Sequence, residues 1–262
     1  MHSMKDLKQL KTKKGRDESG LFMVEGEKFV QEIPGGWHVV QYVIASRYAA
    51  IHDISLYENH ANCTTVKDSI FDSLADTVSP QGILAVCEQK TYKLSELLDK
   101  HKAVPHFILL GENLNDPGNI GALIRTAAAA GADGVILTAG SGDMYNPKVL
   151  RAAAGAVLRM PMVTNADLSQ TISLLNDKNI PTYAAHPRGE KLPYELNLRS
   201  NFCLLVGNES HGISQTAGNL AQELVTLPMV NSTESLNASI AGSILMYEAV
   251  RQRQTDTPGG SF

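Results

Sequence analysis

The chain has 262 residues, enough for one large domain or two ordinary ones. Hydrophobic residues make up 43% of it and charged residues 19%, a balance that excludes an intrinsically disordered protein. The net charge of −4 does not indicate a nucleic-acid binder, although such binding depends on a local basic patch and not on the total charge.

The cysteines and the apolar segments bear on where the chain resides. Cys63, Cys87 and Cys203 lie far apart and form no CxxC pair, which disfavours a disulfide framework or a zinc ribbon. Residues 1–20 lack the apolar core of a signal peptide, and no run of about eighteen apolar residues predicts a membrane span. We therefore expect a protein of the reducing cytoplasm.

The first hundred residues have the pattern of a small α/β unit. Residues 1–16 carry six basic side chains against one aspartate, which predicts a solvated, partly helical arm and permits RNA binding without requiring it. Gly26 separates the apolar start of GLFMVEGEKFVQEI from a helical stretch. VVQYVIAS and GILAVCEQ predict strands, and TTVKDSIFDSLADT predicts a helix. A polar stretch before Pro105 predicts the domain boundary, giving domains at 1–100 and 105–262.

From Pro105 onward, short apolar strands alternate with helices. This alternation predicts an α/β domain whose mostly parallel sheet is covered by helices on both faces. The predicted strands are HFILLGE, GVILT, MPMV, TYAAH, FCLLVG and LVTLPM. The predicted helices are NIGALIRTAAAAG, PKVLRAAAGAVL, LSQTISLLNDKN and SLNASIAGSILMYEAVRQR, and the final TDTPGGSF is expected to be disordered.

Three loops in the second domain are rich in glycine, asparagine and other polar residues. In a parallel sheet, ligands gather beyond the carboxyl ends of the strands, and each loop follows a predicted strand there. From the residues alone, the loops predict one pocket built from backbone amides and carbonyls. The first, second and third loops are GENLNDPGNIGALIR (111–125), GNESHGIS (207–214) and LPMVNSTESLN (227–237).

Each polar candidate in these loops has both a functional and a purely structural interpretation. Asn119 starts a helix and Arg125 follows on its first turns, where an ordinary surface arginine is the alternative. Glu209 stands between two glycines and could pair with an arginine, or simply cap a helix N-terminus. Ser235 and Asn237 open the last helix, where N-capping is the simpler role.

The three loops resemble, in order, the three signature motifs of the SpoU (TrmH-like) family of RNA 2′-O-ribose methyltransferases. DPGNIGALIRTAAAAG resembles the first motif, LLVGNESHGIS the second, and LPMVNSTESLNASIAGSILMYEAVRQR the third. The stretches MVEGEKFVQE and SPQGILAV resemble, more weakly, the ribosomal-protein-like substrate-binding domain of that family. Two residues depart from the motifs: Asn231 stands where glycine is commoner, and Ala238 where valine is. Asparagine tolerates a left-handed backbone better than most residues.

The resemblance implies a C-terminal domain with a deep trefoil knot, which no residue pattern predicts because knots are rare exceptions among folds. It implies S-adenosylmethionine as cofactor, bound in the knot. The matching cofactor-binding residues are Gly207, Leu227 and Leu236, with backbone groups around Met229 and Asn237 beside them. It also implies a homodimer through this domain, with its interface next to the cofactor site.

The implied reaction is methyl transfer to a ribose 2′-oxygen, a group that distinguishes RNA from DNA. The resemblance makes Arg125 the residue that takes or directs the hydroxyl proton. Because an arginine is hard to deprotonate, the alternative is that Arg125 grips the ribose and a phosphate while water or phosphate takes the proton. Glu209 is expected to orient Arg125 or the second loop, and Asn119, Ser235 and Asn237 to fix the pocket and substrate.

Alternatives remain open for the RNA substrate and for the class of protein. The ribosomal-protein-like front domain favours structured ribosomal RNA, above all 23S RNA, over transfer RNA. A non-catalytic RNA-binding protein with the same fold is a further alternative, although Arg125, Glu209 and the SLN triplet are all present. Other enzymes fit poorly, because AGSGD is not GxGxxG and GNESHG is not GxSxG. The histidines show no HxH or HExxH spacing, so we expect no metal.

Overall fold

The structure, a computed structural model, describes residues 2–59, 62–99, 105–231 and 234–254. The expected disordered tail and residues 100–104 of the expected domain boundary lie outside the described residues. The chain divides into two compact units. The first comprises residues 1–90 with 143–158, and the second comprises residues 91–142 with 159–262.

Helices and strands follow one another closely along both units. The first ninety residues form α1 (Met4–Gln9), α2 (Lys13–Ser19), β1 (Leu21–Glu25), α3 (Glu27–Gln31), β2 (Val39–Ala45), α4 (Ser46–Ala49), α5 (Ser55–Glu58), β3 (Asn62–Val66), α6 (Asp68–Leu74) and β4 (Ile83–Glu88). The remaining elements are α7 (Leu94–Leu98), β5 (Phe107–Gly111), α8 (Pro117–Ala129), β6 (Gly134–Thr138), α9 (Pro147–Ala152), β7 (Met162–Ala166), α10 (Leu168–Asp177), β8 (Thr182–Ala185), β9 (Phe202–Val206), α11 (Gln215–Leu220), β10 (Glu223–Val225) and α12 (Ala238–Gln254).

The first unit is built on a sheet in the order β1-β4-β2-β3. Strand β4 runs antiparallel to β1 and β2, whereas β3 runs parallel to β2. Phe71 and Leu74 of α6 are fully buried against this sheet. The prediction of a helix throughout TTVKDSIFDSLADT was wrong at its start. Its residues Thr64–Val66 are β-branched and pair with β2, so they belong to a strand.

The basic arm folds as two short helices, α1 and α2, each beginning at a hydroxyl N-cap, Ser3 or Thr12. Arg16 at the end of the arm is buried, with 2% of its side chain exposed. Its Nε and Nη2 donate to Oδ2 of Asp143 at 2.8 and 2.5 Å, and Nη1 donates to the Leu10 carbonyl at 2.7 Å. Removing either charge of such a buried pair costs about 3–5 kcal/mol, because the other charge stays buried without a partner.

The lysines of the arm are less available to RNA than the sequence suggests. Lys11 donates to backbone carbonyls of residues 73 and 75, while Lys13 and Lys14 pair with carboxylates one helical turn further on. Lys5 and Lys8 make no hydrogen bond or ion pair with the described residues. The arm is therefore mainly a structural part of the first unit.

Residues 143–158 belong to the first unit although they come from the middle of the chain. The single helix predicted for PKVLRAAAGAVL was wrong in length: α9 ends at Ala152, and a 3-10 turn follows at Ala156–Leu158. Ala154 and Gly155 separate the two with φ angles of 47° and 77°, which no α-helix accommodates. Trp37 holds the turn, since its Nε1 donates to the Leu158 carbonyl at 2.7 Å.

The second unit contains a parallel sheet in the order β10-β8-β9-β5-β6-β7, flanked by helices. This confirms the predicted α/β class. The apolar runs of β5, β6 and β9 are buried at every position, as central strands covered on both faces require. The last predicted strand, LVTLPM, is shorter than expected, because β10 ends at Val225. The knot implied by the resemblance stays a prediction.

Because all strands of this sheet are parallel, the three loops begin at the same edge of it. Strands β5 and β9 are neighbours, and β8 lies between β9 and β10. The last helix, α12, packs on α8 and β9. A Cβ at Gly242 of α12 would lie 2.7 Å from the side chain of Leu123 of α8, so a larger residue would require Leu123 to shift. None of the described helices is long and apolar enough to cross a membrane.

Candidate functional site

A cavity of about 770 Å³ opens at the edge of the sheet where the second and third loops meet. Its wall also takes residues from the chain after β8 and from the first turns of α12. The residues predicted to bind the cofactor, Gly207, Leu227, Met229 and Leu236, all line this cavity. Residues 232 and 233 of the third loop lie outside the described residues.

The second loop is a tight turn closed by its own backbone. Asn208 and Gly212 each donate an N–H to the carbonyl of the other at 2.9 Å, and Gly212 has a left-handed φ of 69°. A Cβ at Gly207 would lie 2.3 Å from the carbonyl carbon of Gly212. No side chain fits at that distance, so glycine is required at position 207 for the turn to close.

Glu209 joins the second loop to the first. One of its carboxylate oxygens accepts the backbone N–H of Asn115 at 3.3 Å, and the other accepts that of Asp116 at 3.1 Å. The Asn119 and Asn208 side-chain amides donate to it at 3.3 and 3.4 Å. The negative charge thus lies at the N-terminus of α8, where the helix dipole favours an anion. Glu209 contacts the first and second loops, and it is not paired with Arg125.

Asn119 connects all three loops. Its side-chain amide donates to Glu209, and its Oδ1 accepts from Asn237 Nδ2 at 3.0 Å and from Ser239 Oγ at 3.1 Å. Ser239 is a residue of this network that the sequence analysis missed. The available signal was its place two residues after the N-cap of the last helix, where a hydroxyl can meet the capping side chain.

Asn237 has the capping role that its position suggested. Its Oδ1 accepts the backbone N–H of Ser239 at 2.9 Å and that of Ile240 at 3.3 Å, at the start of α12. Ser235 is exposed and lines the cavity, without a hydrogen bond among the described residues. Asn231 adopts the left-handed backbone that the sequence analysis judged tolerable, with a φ of 57°.

Arg125 lies apart from the other candidates. It is on the exposed face of α8, outside the cavity wall, and has no hydrogen bond or ion pair within the described part of the chain. The structure therefore brings Asn119, Glu209 and Asn237 into one network and leaves Arg125 free on the surface.

Further residues of the cavity wall were missed, among them two that lie outside the three loops. His186 and Arg188 line it from the turn after β8, where the sequence reads HPRG. A polar turn at the carboxyl end of a parallel strand was the available signal.

Cys203 of β9 is fully buried, which raises the pKa of its thiol far above the ordinary value, so it stays protonated. In the described ranges, no cluster of His, Cys, Asp and Glu is placed to hold a metal ion.

Comparisons with known proteins bear on both units. A model of the SpoU rRNA methylase family matches residues 106–247, and a model of an MRM3-like substrate-binding domain matches residues 2–85. The chain is 32% identical to the 23S rRNA (guanosine(2553)-2′-O)-methyltransferase RlmP of Bacillus subtilis, over 93% of this chain and 94% of that one.

Solved structures resemble the chain over nearly its whole length. An AdoMet-bound rRNA methyltransferase from Sinorhizobium meliloti is 28% identical with a TM-score of 0.84, over 95% of this chain and 94% of that one. The SpoU methyltransferase AviRb from Streptomyces viridochromogenes, in complex with AdoMet, is 25% identical with a TM-score of 0.86. That match covers 96% of this chain and 98% of that one.

Proposed function

This chain belongs to the SpoU rRNA methylase family, and we infer that it methylates a ribose 2′-oxygen of ribosomal RNA. It is an S-adenosylmethionine-dependent methyltransferase. The observation that carries this conclusion is the cavity at the sheet edge, whose wall includes Gly207, Leu227, Met229 and Leu236. These are the positions at which the family resemblance expects the methyl donor.

The cavity suits S-adenosylmethionine in size and chemistry. Its volume of about 770 Å³ falls in the range of small-molecule sites. Val206, Leu227 and Leu245 offer apolar surface for an adenine ring, and the turn at Gly207 brings backbone polar groups to the wall. We propose that the trefoil knot of the family lies around this cavity.

When bound, S-adenosylmethionine supplies a methyl group activated by a positively charged sulfur. The chain has to hold the ribose hydroxyl in line with that group, and orientation of this kind is worth about 7–11 kcal/mol. We propose that Asn119, Glu209 and Asn237 fix the loops that form the site, and that Ser235 contacts substrate from the cavity wall. Arg125 directs the hydroxyl proton or grips the ribose and its phosphate, stabilising negative charge on the oxygen.

A homodimer explains why Arg125 lies outside the cavity of its own chain. On α12, Ile240, Ile244 and Tyr247 are exposed at 51%, 45% and 54% and fall on one stripe of the helix. The adjacent stripe of α12 lines the cavity through Ala241 and Leu245. We propose that a second copy covers the exposed stripe, so that Arg125 meets the reacting ribose in the assembled dimer.

The first unit supports an RNA substrate, and we propose 23S RNA in particular. Residues 2–85 match an MRM3-like substrate-binding domain, and the RlmP relative acts on 23S rRNA. We assign RNA binding to residues 1–100 and methyl transfer to residues 105–262. The RlmP relative is a protein of Bacillus subtilis, whose ribosomal RNA is made in the cytoplasm, and we propose the same location for this protein.

The experiment that tests the substrate uses RNA from cells that lack this gene. The protein is incubated with tritium-labelled S-adenosylmethionine and with purified 23S RNA, 16S RNA or transfer RNA in equal amounts. We expect the label to enter 23S RNA. Transfer to transfer RNA alone would replace the proposed substrate, and RNA binding without any transfer would favour a non-catalytic protein.

A further inference from the structure

The turn after β8 places an arginine on the wall of the cofactor cavity. We propose that Arg188 binds the carboxylate of the methionine part of S-adenosylmethionine, an inference that rests on the proposed function. Arg188 lines the same cavity as Gly207 and Leu227. Its guanidinium makes no hydrogen bond or ion pair with any described residue, so its donors are available to a ligand.

The backbone that carries Arg188 is fixed although its side chain is exposed. Arg188 donates its N–H to His186 Nδ1 at 3.1 Å, and the Pro187 carbonyl accepts from Thr226 Oγ1 at 3.1 Å. A Cβ at Gly189 would lie 2.7 Å from the backbone of Leu224, so glycine lets the turn lie directly against β10. The turn therefore presents the arginine from a rigid base, which lowers the entropy lost on binding.

The charges on the cavity wall single out this arginine. The charged residues that line it are Arg188, Glu209 and Glu234, together with two histidines. Both oxygens of Glu209 already accept hydrogen bonds from the first and second loops. Arg188 is thus the permanent cation on the described part of the wall.

The cofactor carries a single anionic group that an arginine can recognise. In S-adenosylmethionine the sulfonium and the amino group are positive, the adenosine is neutral, and only the carboxylate is negative. A guanidinium binds a carboxylate through two parallel hydrogen bonds, which lysine cannot reproduce. An RNA phosphate is the other anion that could reach the cavity mouth, and the test below separates the two.

Calorimetry on the full-length protein tests the proposal without any turnover. The ligands are S-adenosylmethionine and decarboxylated S-adenosylmethionine, which differ only in the carboxylate. Arg188→Gln should weaken the binding of S-adenosylmethionine about tenfold. This is the lower end of the loss expected for charge-assisted hydrogen bonds, because the Arg188 side chain is exposed. It should leave binding of the second within about twofold. The matched control is Lys191→Gln, which removes a charge from the same exposed segment outside the cavity wall and should change neither affinity.

Four results would overturn the proposal. Equal weakening of both ligands would mean that Arg188 supports the cavity and not the carboxylate. Unchanged affinity for both, with a raised KM for RNA, would assign Arg188 to an RNA phosphate. Unchanged affinity for both, with an unchanged KM, would leave Arg188 no ligand role. If the unaltered protein bound neither ligand, the proposed function would fail first and this assignment with it.

Discussion

Arg125 is proposed to act on the reacting ribose, although within a single chain it lies outside the cavity wall. It is exposed on α8 and unpaired among the described residues, so removing its side chain should not disturb the fold. Arg125→Ala should leave the affinity for S-adenosylmethionine unchanged and lower methyl transfer by about a hundredfold or more, since a transition-state contact is lost. Calorimetry and single-turnover kinetics measure the two effects.

Arg125→Lys distinguishes charge from geometry at this position. Lysine keeps the positive charge and loses the planar pair of donors, so it should restore little of the rate. Recovery of most of the rate would reduce the role of Arg125 to its charge. Normal turnover of the alanine variant at saturating RNA would make Arg125 an ordinary helix residue.

Glu209 acts on the structure of the site. Glu209→Gln replaces one accepting oxygen by a donor, which opposes the backbone N–H of Asn115 or Asp116 at the start of α8. We expect a loss of about 1–3 kcal/mol in the free energy of unfolding. We also expect a fall of about tenfold in cofactor affinity, because the second loop forms the cavity wall.

The matched control for Glu209 is Glu195→Gln. Glu195 also caps a turn, accepting the backbone N–H of Leu192 at 2.7 Å, but it is outside the cavity wall. Thermal unfolding should register both substitutions, and calorimetry should register only that of Glu209. Equal cofactor affinity in the two variants would show that the link between the loops does not shape the cavity.

The turn of the second loop depends on Gly207. A Cβ there would lie 2.3 Å from the backbone of Gly212, so Gly207→Ala must open the turn. We expect cofactor binding to fall below detection by calorimetry, with a protein that still unfolds cooperatively.

Gly218→Ala is the control, since a Cβ at that helical position meets only a side-chain atom at 3.8 Å. It should raise the stability by about 0.5–1 kcal/mol. Normal cofactor affinity in Gly207→Ala would contradict the account of this turn.

Elements with one dominant local signal were predictable from the sequence. The strands β5, β6 and β9 are continuous apolar runs, and α8 has the proline and aspartate cap of a helix start. Helices α7 and α11 were not predicted, because they are short and polar outside a few core positions. The alanine-rich run after Pro147 favours a helix locally, and the left-handed backbone at Ala154 and Gly155 overrides that propensity.

Part of the candidate site was also predictable. The four positions for the cofactor came from motif resemblance, and they line one cavity because parallel strands bring their loops to one edge. The partners of Glu209 and the inclusion of Ser239 and Arg188 depend on how loops distant in sequence meet, which no local pattern encodes. The resemblance does not give the partners of Arg125 either, since these lie in the dimer that we propose.

We expect the exposed stripe on α12 to hold two copies of the chain together. Ile244→Asp places a charge at its centre, where burial of an unpaired carboxylate opposes association. We expect a shift from dimer to monomer in analytical ultracentrifugation, with methyl transfer reduced by at least about tenfold.

The control for the dimer is Ile51→Asp in the first unit. Ile51 lies outside α12 and is 79% exposed, so its replacement tests the effect of an added surface charge on association. This variant should stay dimeric in the same ultracentrifugation experiment. An Ile244→Asp protein that remained a dimer would remove α12 from the proposed interface.

The position of the transferred methyl group shows directly whether this chain methylates a ribose oxygen of RNA. The labelled RNA product is digested to nucleosides, which are separated and identified by mass spectrometry. We expect the added methyl group on the ribose of one nucleoside. In the undigested RNA, the phosphodiester bond that follows this nucleotide should resist alkaline hydrolysis, because its 2′-oxygen is blocked. A methyl group on a base, or no transfer to any RNA by a folded protein that binds S-adenosylmethionine, would contradict this expectation.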